Sequence, residues 1–126
     1  MMSVNHSKPA ILRFADRDSM GHVNSLRLAE LMEDARLDFL ALIPQREDLE
    51  WRLVSMKVDF HTQPTTGSTL MTNSIVTRVG NSSFDMKHES MEEHTLIASG
   101  ISYLVQVDPE KSISVELEDR QRSWLS

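Results

Sequence analysis

The chain has 126 residues, of which 40% are hydrophobic and 25% charged, as is usual for a globular protein with one modest core. Its 13 basic and 19 acidic residues give a net charge of -6, which disfavours nucleic acid as a partner. The absence of cysteine excludes disulfides, thiolate nucleophiles and thiolate zinc sites. The N-terminus lacks an apolar run of signal-peptide length, and no later segment is long and apolar enough to span a membrane. We therefore expect a cytoplasmic protein without a membrane partner, folded as a single domain over residues 1–126.

The first half of the chain predicts a short strand followed by a long helix. Residues 1–8 are expected to form a frayed end, and Pro9 then precedes a strand predicted over residues 10–14. A helix is predicted over about residues 24–42, with Asn24 or Ser25 as its N-cap. Its apolar residues recur at the i, i+3, i+4, i+7 spacing of a buried helix face, namely Leu28, Leu31, Met32, Ala35, Phe39 and Leu42.

From Trp51 onward the apolar period changes from about 3.6 to 2, which predicts strands. The first strand has an apolar face of Val54, Met56, Val58 and Phe60. Further strands are predicted over residues 70–79, 83–91 and 95–107, separated by polar or glycine-containing turns. The strand over residues 83–91 has Phe84, Met86 and His88 on one face. In the last strand we expect one apolar side made of Ile97, Ile101, Tyr103, Val105 and Val107. The charged tail, residues 110–126, is predicted to carry a last helical turn that ends in Trp124 and Leu125.

The predicted order is one strand, one long helix and four strands joined by short turns. Short turns favour antiparallel neighbours, and a single helix with one apolar face must cover one face of the sheet. The sequence therefore predicts an α+β domain in which a curved antiparallel sheet wraps around the helix.

The candidate catalytic residues lie in the loop before the helix. It holds Asp16, Asp18, His22 and Asn24 directly before the free N–H groups and positive pole of a helix N-terminus. Such a loop can polarise a carbonyl oxygen and direct a carboxylate at the carbonyl carbon.

The segment Asp16-Arg17-Asp18-Ser19-Met20-Gly21-His22-Val23-Asn24 resembles the D-x-D-x-x-G-H-V-N motif of hotdog-fold acyl-CoA thioesterases of the 4-hydroxybenzoyl-CoA thioesterase type. In this family the following helix ends in E-x-A-R, to which Glu33-Asp34-Ala35-Arg36 is similar. The resemblance covers about residues 10–108, the expected core of the domain. It implies a hotdog fold, in which an antiparallel five-stranded sheet wraps around one long central helix.

The resemblance also implies an activity, the hydrolysis of acyl-CoA thioesters to free acid and CoA. Asp18 corresponds to the family's catalytic carboxylate, acting as general base or as nucleophile. The backbone N–H near Asn24 and Ser25 corresponds to the donor that polarises the thioester carbonyl, while His22 and Asn24 match positions that shape the site. Leu28 stands where the family commonly has an aromatic residue lining the acyl pocket, and Ser25 replaces a frequent second asparagine.

Proteins of this kind build their sites between subunits, so we expect a homodimer or homotetramer. No metal or redox cofactor is expected, because CoA is part of the substrate. Two alternatives stay open at this point: a thioesterase acting on acyl carrier protein, and a catalytically silent module that binds acyl-CoA.

Several candidate residues have a structural interpretation beside the functional one. Asp18 is also typical of a turn or capping aspartate, and Asp16 is expected to hydrogen-bond the loop. His22 is either a general acid or base or an orienting hydrogen-bonder. Glu33 either lines the substrate pocket across a subunit contact or is solvated. Ser82 and Ser83 either contact the pantetheine arm of CoA or only form a turn.

Other chemistries lack their motifs. The spacing Asp16-x-Asp18-x-x-Gly21 starts like a calcium loop, but Met20 and Arg27 stand at two ligand positions and cannot serve there. The histidines His6, His22, His61, His88 and His94 lack metal-ligand spacing. The sequence contains neither a G-x-S-x-G elbow nor a glycine-rich phosphate loop.

Overall fold

A 16-residue helix, α1 (Ser25–Leu40), lies at the centre of the computed structural model, which describes residues 5–126. It begins at Asn24, whose side-chain oxygen accepts a hydrogen bond from the Leu26 N–H and so acts as the N-cap. Six of its side chains are buried: Leu28, Leu31, Met32, Ala35, Arg36 and Phe39. The predicted helix is thus confirmed, together with five of the six residues of its predicted buried face.

The predicted burial of Leu42 is wrong, because Leu42 is 59% exposed. The helix ends at Leu40, two residues before Leu42, and the chain then turns. As a result Ile43, at 5% exposure, takes the buried place beyond the helix.

Five long antiparallel strands form most of the six-stranded sheet, in the spatial order β1-β3-β4-β5-β2. Their bounds are β1 Asn5–Ile11, β2 Glu50–Phe60, β3 Thr69–Val79, β4 Ser83–Glu92 and β5 Thr95–Asp108. A two-residue strand, β6 (Ile113–Ser114), pairs with β5, and a short helix, α2 (Asp119–Leu125), follows it. The predicted order of elements is confirmed, as is the helical turn that ends in Trp124 and Leu125.

The first strand begins earlier than the sequence predicts. β1 starts at Asn5 and ends at Ile11, whereas Phe14 lies in a 3-10 helix, Phe14–Asp16, and is 77% exposed. The prediction of a strand over residues 10–14 and a frayed end up to residue 8 is therefore corrected, although residues 1–4 lie outside the described part. The polar residues of β1 are held by pairing with β3, and Pro9 is tolerated because β1 is an edge strand.

The face of β5 that packs against α1 is the opposite of the predicted one. Its buried residues are Ala98, Gly100, Ser102, Leu104 and Gln106, while Ile101 is 38% exposed on the outer side together with half-buried Tyr103 and Val105. Only Ile97 and Val107 of the predicted apolar side are buried. The reason is the close approach of the helix: a Cβ atom on Gly100 would lie 2.4 Å from the Met32 sulfur.

Small polar side chains fill the middle of the interface between α1 and the sheet. We call this set the polar band: Thr72, Ser74, His88, Ser90 and Ser102, all at most 3% exposed. The His88 ring contacts Ser74 Oγ through Nδ1 at 2.8 Å and Ser102 Oγ through Nε2 at 2.9 Å. Thr72 and Ser90 are hydrogen-bonded to each other at 2.9 Å, so the band is paired internally.

Burial, together with the smaller effect of the nearby Arg36 charge, lowers the pKa of His88 to about 4. The imidazole is therefore neutral at pH 7. Arg36 itself is buried beside Glu33 and the Met56 sulfur, at 3.3 and 3.2 Å respectively. Burial lowers the pKa of Arg36, and the Glu33 carboxylate partly offsets this.

Two hydrophobic clusters lie at opposite ends of α1. The cluster around Leu28 contains Leu12, Val23, Leu28, Leu31, Leu70 and Ile97. The cluster around Phe39 contains Phe39, Ile43, Val76, Phe84, Met86, Leu104, Leu117 and Leu125. The N-terminal loop of α1 thus lies at one end of the sheet, and the β3–β4 turn lies at the other.

Strand β2 is the second edge of the sheet and is less covered than the sequence predicts. Met56 and Val58 are half-buried, whereas Val54 and Phe60 are 58% and 49% exposed. A register shift between Leu53 and Ser55 leaves Val54 as the bulged residue. β2 therefore presents apolar side chains at an open strand edge.

None of the helices in residues 5–126 is long and apolar enough to cross a membrane.

Candidate functional site

The loop before α1 is a tight hairpin closed by a bridge between Arg17 and Val23. Inside it, the Asp18 N–H donates to the His22 carbonyl at 2.7 Å, and the Gly21 N–H donates to the Asp18 carbonyl at 3.0 Å. Gly21 has φ +81°, a left-handed conformation that glycine adopts without strain. The backbone thus holds Asp18 and His22 together at the base of the hairpin.

The Asp18 carboxylate is exposed and takes part in the turn. Its Oδ1 accepts hydrogen bonds from the N–H groups of Met20 at 2.9 Å and His22 at 3.1 Å. Within residues 5–126, Oδ2 has no hydrogen-bond partner, so one carboxylate oxygen is available to solvent or a ligand. His22 is also exposed, and its hydrogen bonds among the described residues are made by its backbone.

Asp16 is buried and hydrogen-bonds within the loop, as expected. Its carboxylate is buried, accepts the Arg13 N–H at 2.8 Å, and forms ion pairs with Arg27 at 3.0 Å and Arg13 at 3.2 Å. Burial by itself raises the pKa of Asp16, but the hydrogen bonds from Arg13 and the charges of Arg27 and Arg13 outweigh this and lower it. Asp16 is therefore an ionised structural residue that ties the loop to the first turn of α1.

The N-terminus of α1 leaves one backbone donor without an acceptor. The Asn24 N–H donates to the Asp16 carbonyl at 2.9 Å, and the Leu26 N–H donates to Asn24 Oδ1 at 2.8 Å. The Ser25 N–H lies between them and has no acceptor in the described part of the chain. Because a helix N-terminus carries a partial positive charge, this N–H is suited to an oxygen that gains negative charge.

A cavity of about 190 Å³ opens beside this donor. Its walls are Ser25, Leu28, Phe60, His61, Thr62 and Gln63. The structure thus brings together two of the predicted site residues, Ser25 and Leu28, and adds the end of β2, which sequence reasoning missed. The alternating pattern placed Phe60 and His61 at a strand end, but it gave no sign that this end lies against α1.

The cavity is joined to the hairpin by Gln63. Its side-chain Oε1 accepts the Val23 N–H at 2.8 Å, and its Nε2 donates to the Val23 carbonyl at 3.4 Å. Val23 in turn bridges Arg17, the residue before Asp18. Asp18 and His22 do not themselves line the cavity of their own chain.

Glu33 lies outside this cavity. It is exposed, contacts Arg36, and lines a separate depression of about 260 Å³ with Leu26, Ala29, Glu30 and Met56. This position fits either of the two interpretations left open for Glu33.

Ser82 and Ser83 lie at the far end of the sheet. They precede Phe84, which belongs to the cluster around Phe39. The Ser82 carbonyl accepts the Gln106 N–H at 2.8 Å, and Ser83 Oγ accepts from Arg78 at 3.3 Å. One chain therefore does not bring these serines to the Ser25 cavity.

Within residues 5–126, no group of three His, Cys, Asp or Glu side chains is placed to hold a metal ion.

Comparison with known proteins gives the family. Residues 12–125 match the thioesterase-like superfamily. Curated protein sequences yield no match.

Solved structures resemble this fold over nearly the whole chain. A predicted thioesterase from Bacillus stearothermophilus has a TM-score of 0.87 at 20% identity, covering 97% of this chain and 94% of its own. A 1,4-dihydroxy-2-naphthoyl-CoA thioesterase from Synechocystis has a TM-score of 0.82 at 17% identity, and the match covers 96% of this chain and 95% of that protein. The PA5185 protein from Pseudomonas aeruginosa has a TM-score of 0.80 at 25% identity, and the match covers 95% of this chain and 88% of that protein. The predicted α+β hotdog fold is confirmed, and the chain belongs to the thioesterase-like superfamily.

Proposed function

We propose that this protein is a hydrolase of the 4-hydroxybenzoyl-CoA thioesterase type that cleaves acyl-CoA thioesters to a free acid and CoA. Its membership of the thioesterase-like superfamily supports thioester hydrolysis. The observation that carries the proposal is the unpaired Ser25 N–H beside a cavity that Leu28 and Phe60 line on its apolar side.

In this proposal the thioester carbonyl oxygen accepts a hydrogen bond from the Ser25 N–H. The acyl group lies against Leu28 and Phe60, which line the same cavity. Negative charge that develops on the oxygen during attack is stabilised by the N–H and the positive pole of α1. Asn24 supports this geometry because it caps the helix with its side chain and leaves the neighbouring N–H free.

Asp18 is proposed as the carboxylate of the reaction, either as a base that takes a proton from water or as the nucleophile that attacks the carbonyl carbon. Its unpaired Oδ2 supports either role. The hairpin connects it to the cavity through Val23 and Gln63, and His22 shapes the same turn.

We further propose a homodimer or a homotetramer as the working unit. If Ser82 and Ser83 contact the pantetheine arm, they must come from another subunit, since they lie at the far end of their own sheet. The open β2 edge, with exposed Leu53, Val54 and Phe60, supports pairing with a second copy. A subunit contact there would also cover Met56 and the neighbouring Glu33.

The acyl carrier protein thioesterase is the related alternative, and a cytoplasmic location stays a prediction. The turn geometry of Asp18 favours a second candidate function, a catalytically silent acyl-CoA-binding module. In that protein Asp18 would serve only to accept the Met20 and His22 N–H groups.

Hydrolysis assays against a panel of acyl-CoA and acyl carrier protein thioesters, with thiol detection, test the proposal. We expect turnover by the wild-type protein and a kcat at least ~100-fold lower for Asp18→Asn, since this is the low end of general-base catalysis. KM should stay within a few-fold, because the helix donor and the cavity are unchanged.

Asp119→Asn is the matched control, because Asp119 is an exposed aspartate at the start of α2, outside both the loop and the β2 edge. Tight acyl-CoA binding without turnover of any thioester would favour the binding module over the hydrolase. An Asp18→Asn variant that keeps most of its rate would remove the carboxylate from the mechanism.

A further inference from the structure

The outer face of the sheet, which points away from α1, carries charged side chains among apolar ones. Its apolar residues include Ile101, which is 38% exposed, and half-buried Ile75. Four charged side chains lie beside them, each 46% to 70% exposed: Lys57 and Asp59 on β2, and Lys87 and Glu89 on β4. Lys87 and Glu89 are on this face because His88, which lies between them, points to the opposite side and is buried under α1.

Strand register arranges these side chains in two parallel rows. The basic row consists of Lys57, Ile101, Lys87 and Ile75, which pair across β2, β5, β4 and β3. The acidic row consists of Asp59, Ser99, Glu89 and Asn73, which pair across the same four strands. The rows are about 7 Å apart, which is the rise of two strand residues.

The charges of the two rows are only loosely paired within their own chain. Lys57 Nζ lies 3.7 Å from the Asp59 carboxylate, and Lys87 Nζ lies 3.9 Å from that of Glu89. These distances are too long for hydrogen bonds, and exposed pairs of this kind add little to stability. By contrast, Arg78 donates to the Asp85 carboxylate at 2.8 and 2.9 Å. The charges of the two rows are therefore free to pair with another molecule.

The two rows are complementary to themselves. When two copies stack by their outer faces, a two-fold axis can lie between the sheets and run across the strands, midway between the rows. Each basic row then lies over the acidic row of the other copy. Lys57 faces Asp59 of the second copy, and Lys87 faces Glu89 of the second copy.

Sheet geometry permits this pairing. Packed sheets lie about 10 Å apart, a gap that a lysine and a carboxylate side chain span together. Strands β2 and β4 both neighbour β5, so each lies about 5 Å from the centre of such a contact. A crossing angle of about 30° between the sheets then displaces the facing charges by only about 2–3 Å.

We propose that the outer face of the sheet binds the outer face of a second copy of this chain through the basic and acidic rows. Two positive and two negative charges leave the patch without net charge, so a polyanion or a polycation is a poor partner. The contact is separate from the open β2 edge, and the two contacts together give a tetramer. The inference goes beyond the proposed function, since it needs neither thioester hydrolysis nor the β2 contact.

Two charge-reversed proteins test the contact by light scattering at micromolar concentration and low salt. The acidic variant carries Lys57→Glu and Lys87→Glu, and the basic variant carries Asp59→Lys and Glu89→Lys. Each should have half of the wild-type mass, because like charges now face one another. An equimolar mixture should regain the wild-type mass, because every facing pair is then opposite in charge.

Folding and net charge are controlled separately. Thermal unfolding should show that both variants stay folded, because the four substituted side chains are exposed. Lys111→Glu with Arg120→Glu changes the net charge as much as the acidic variant does, at exposed positions after β5 and on α2. This control should keep the wild-type mass.

Reversed variants that keep the wild-type mass overturn the inference. A mixture that stays at the lower mass also overturns it, as does a control that loses half of its mass. If the mixture regains the wild-type mass but the wild type hydrolyses no thioester, the outer-face contact stands and the proposed function is wrong. A wild-type mass of one chain overturns both this contact and the proposed assembly.

Discussion

The buried His88 predicts a specific dependence of stability on pH. Its imidazole contacts Ser74 and Ser102, and it is completely buried between the sheet and α1. Protonation would leave the serine oxygens able to accept both ring N–H groups, but it would place a positive charge near Arg36 in the core. The penalty therefore comes from desolvation and from Arg36, not from lost hydrogen bonds.

The magnitude follows from the two pKa values. The folded value of about 4 lies below the ordinary histidine value of 6.5, and this gap corresponds to about 3 kcal/mol of stability. Between these values the unfolded chain binds more protons than the folded one, so the free energy of unfolding falls as the pH decreases. The contribution of neutral His88 to the free energy of unfolding is present in full well above pH 6.5, and about 2.5 kcal/mol of it is lost at pH 4.5.

Urea unfolding at fixed protein concentration between pH 7 and pH 4.5 measures this effect. His88→Gln lacks the titrating group, so its free energy of unfolding should fall by about 2.5 kcal/mol less than that of the wild type over this range. The carboxylates of both proteins titrate alike and cancel in the comparison. His94→Gln, at an exposed histidine, should follow the wild-type curve. Parallel curves for the wild type and His88→Gln would refute the reasoning.

Two other predictions concern the loop and the assembly. Asp16→Asn should lower the free energy of unfolding by about 1–3 kcal/mol, because it weakens the bonds of a buried carboxylate to Arg13 and Arg27. Urea unfolding measures this change, with Asp119→Asn as the exposed control. Equal stability of the two variants would contradict the prediction. Light scattering at micromolar concentration should give a mass of at least two chains. Val54→Asp places a charge on the open β2 edge and should lower that mass. A species of 14.4 kDa alone would contradict the proposed dimer.

The parts of the fold that sequence predicted are those in which one local pattern decides the structure. The spacing of Leu28, Met32 and Phe39 defines a buried helix face, and Asn24 caps the helix through its own side chain. The alternation of Phe84, Met86 and His88 likewise defines the buried face of β4. These features need little information from distant parts of the chain.

The errors occur where distant contacts decide. β1 begins at Asn5 because β3 pairs with it, which composition does not reveal. The inner face of β5 is small and polar because Met32 approaches Gly100, so hydrophobicity pointed to the wrong side. A pattern of apolar residues cannot report how closely a helix lies on a sheet.

The candidate site was predictable in part for the same reason. The loop and the helix N-terminus are adjacent in sequence, so Asp18 and Ser25 could be identified together. Phe60 reaches the cavity from the end of β2, and Ser82 lies at the opposite end of the sheet. Those relations depend on the folded arrangement, which a local sequence pattern does not contain.

The central claim is that the Ser25 N–H binds the thioester carbonyl, and kcat for Ser25→Pro tests it most directly. Proline is favoured at the first helical position, and Asn24 already has the extended φ −60° and ψ 130° that a residue before proline adopts. The variant should therefore fold while lacking only this donor. We predict a kcat about 10²–10³-fold below that of Ser25→Ala, which keeps the N–H. Equal rates for a folded Ser25→Pro and Ser25→Ala would contradict the claim.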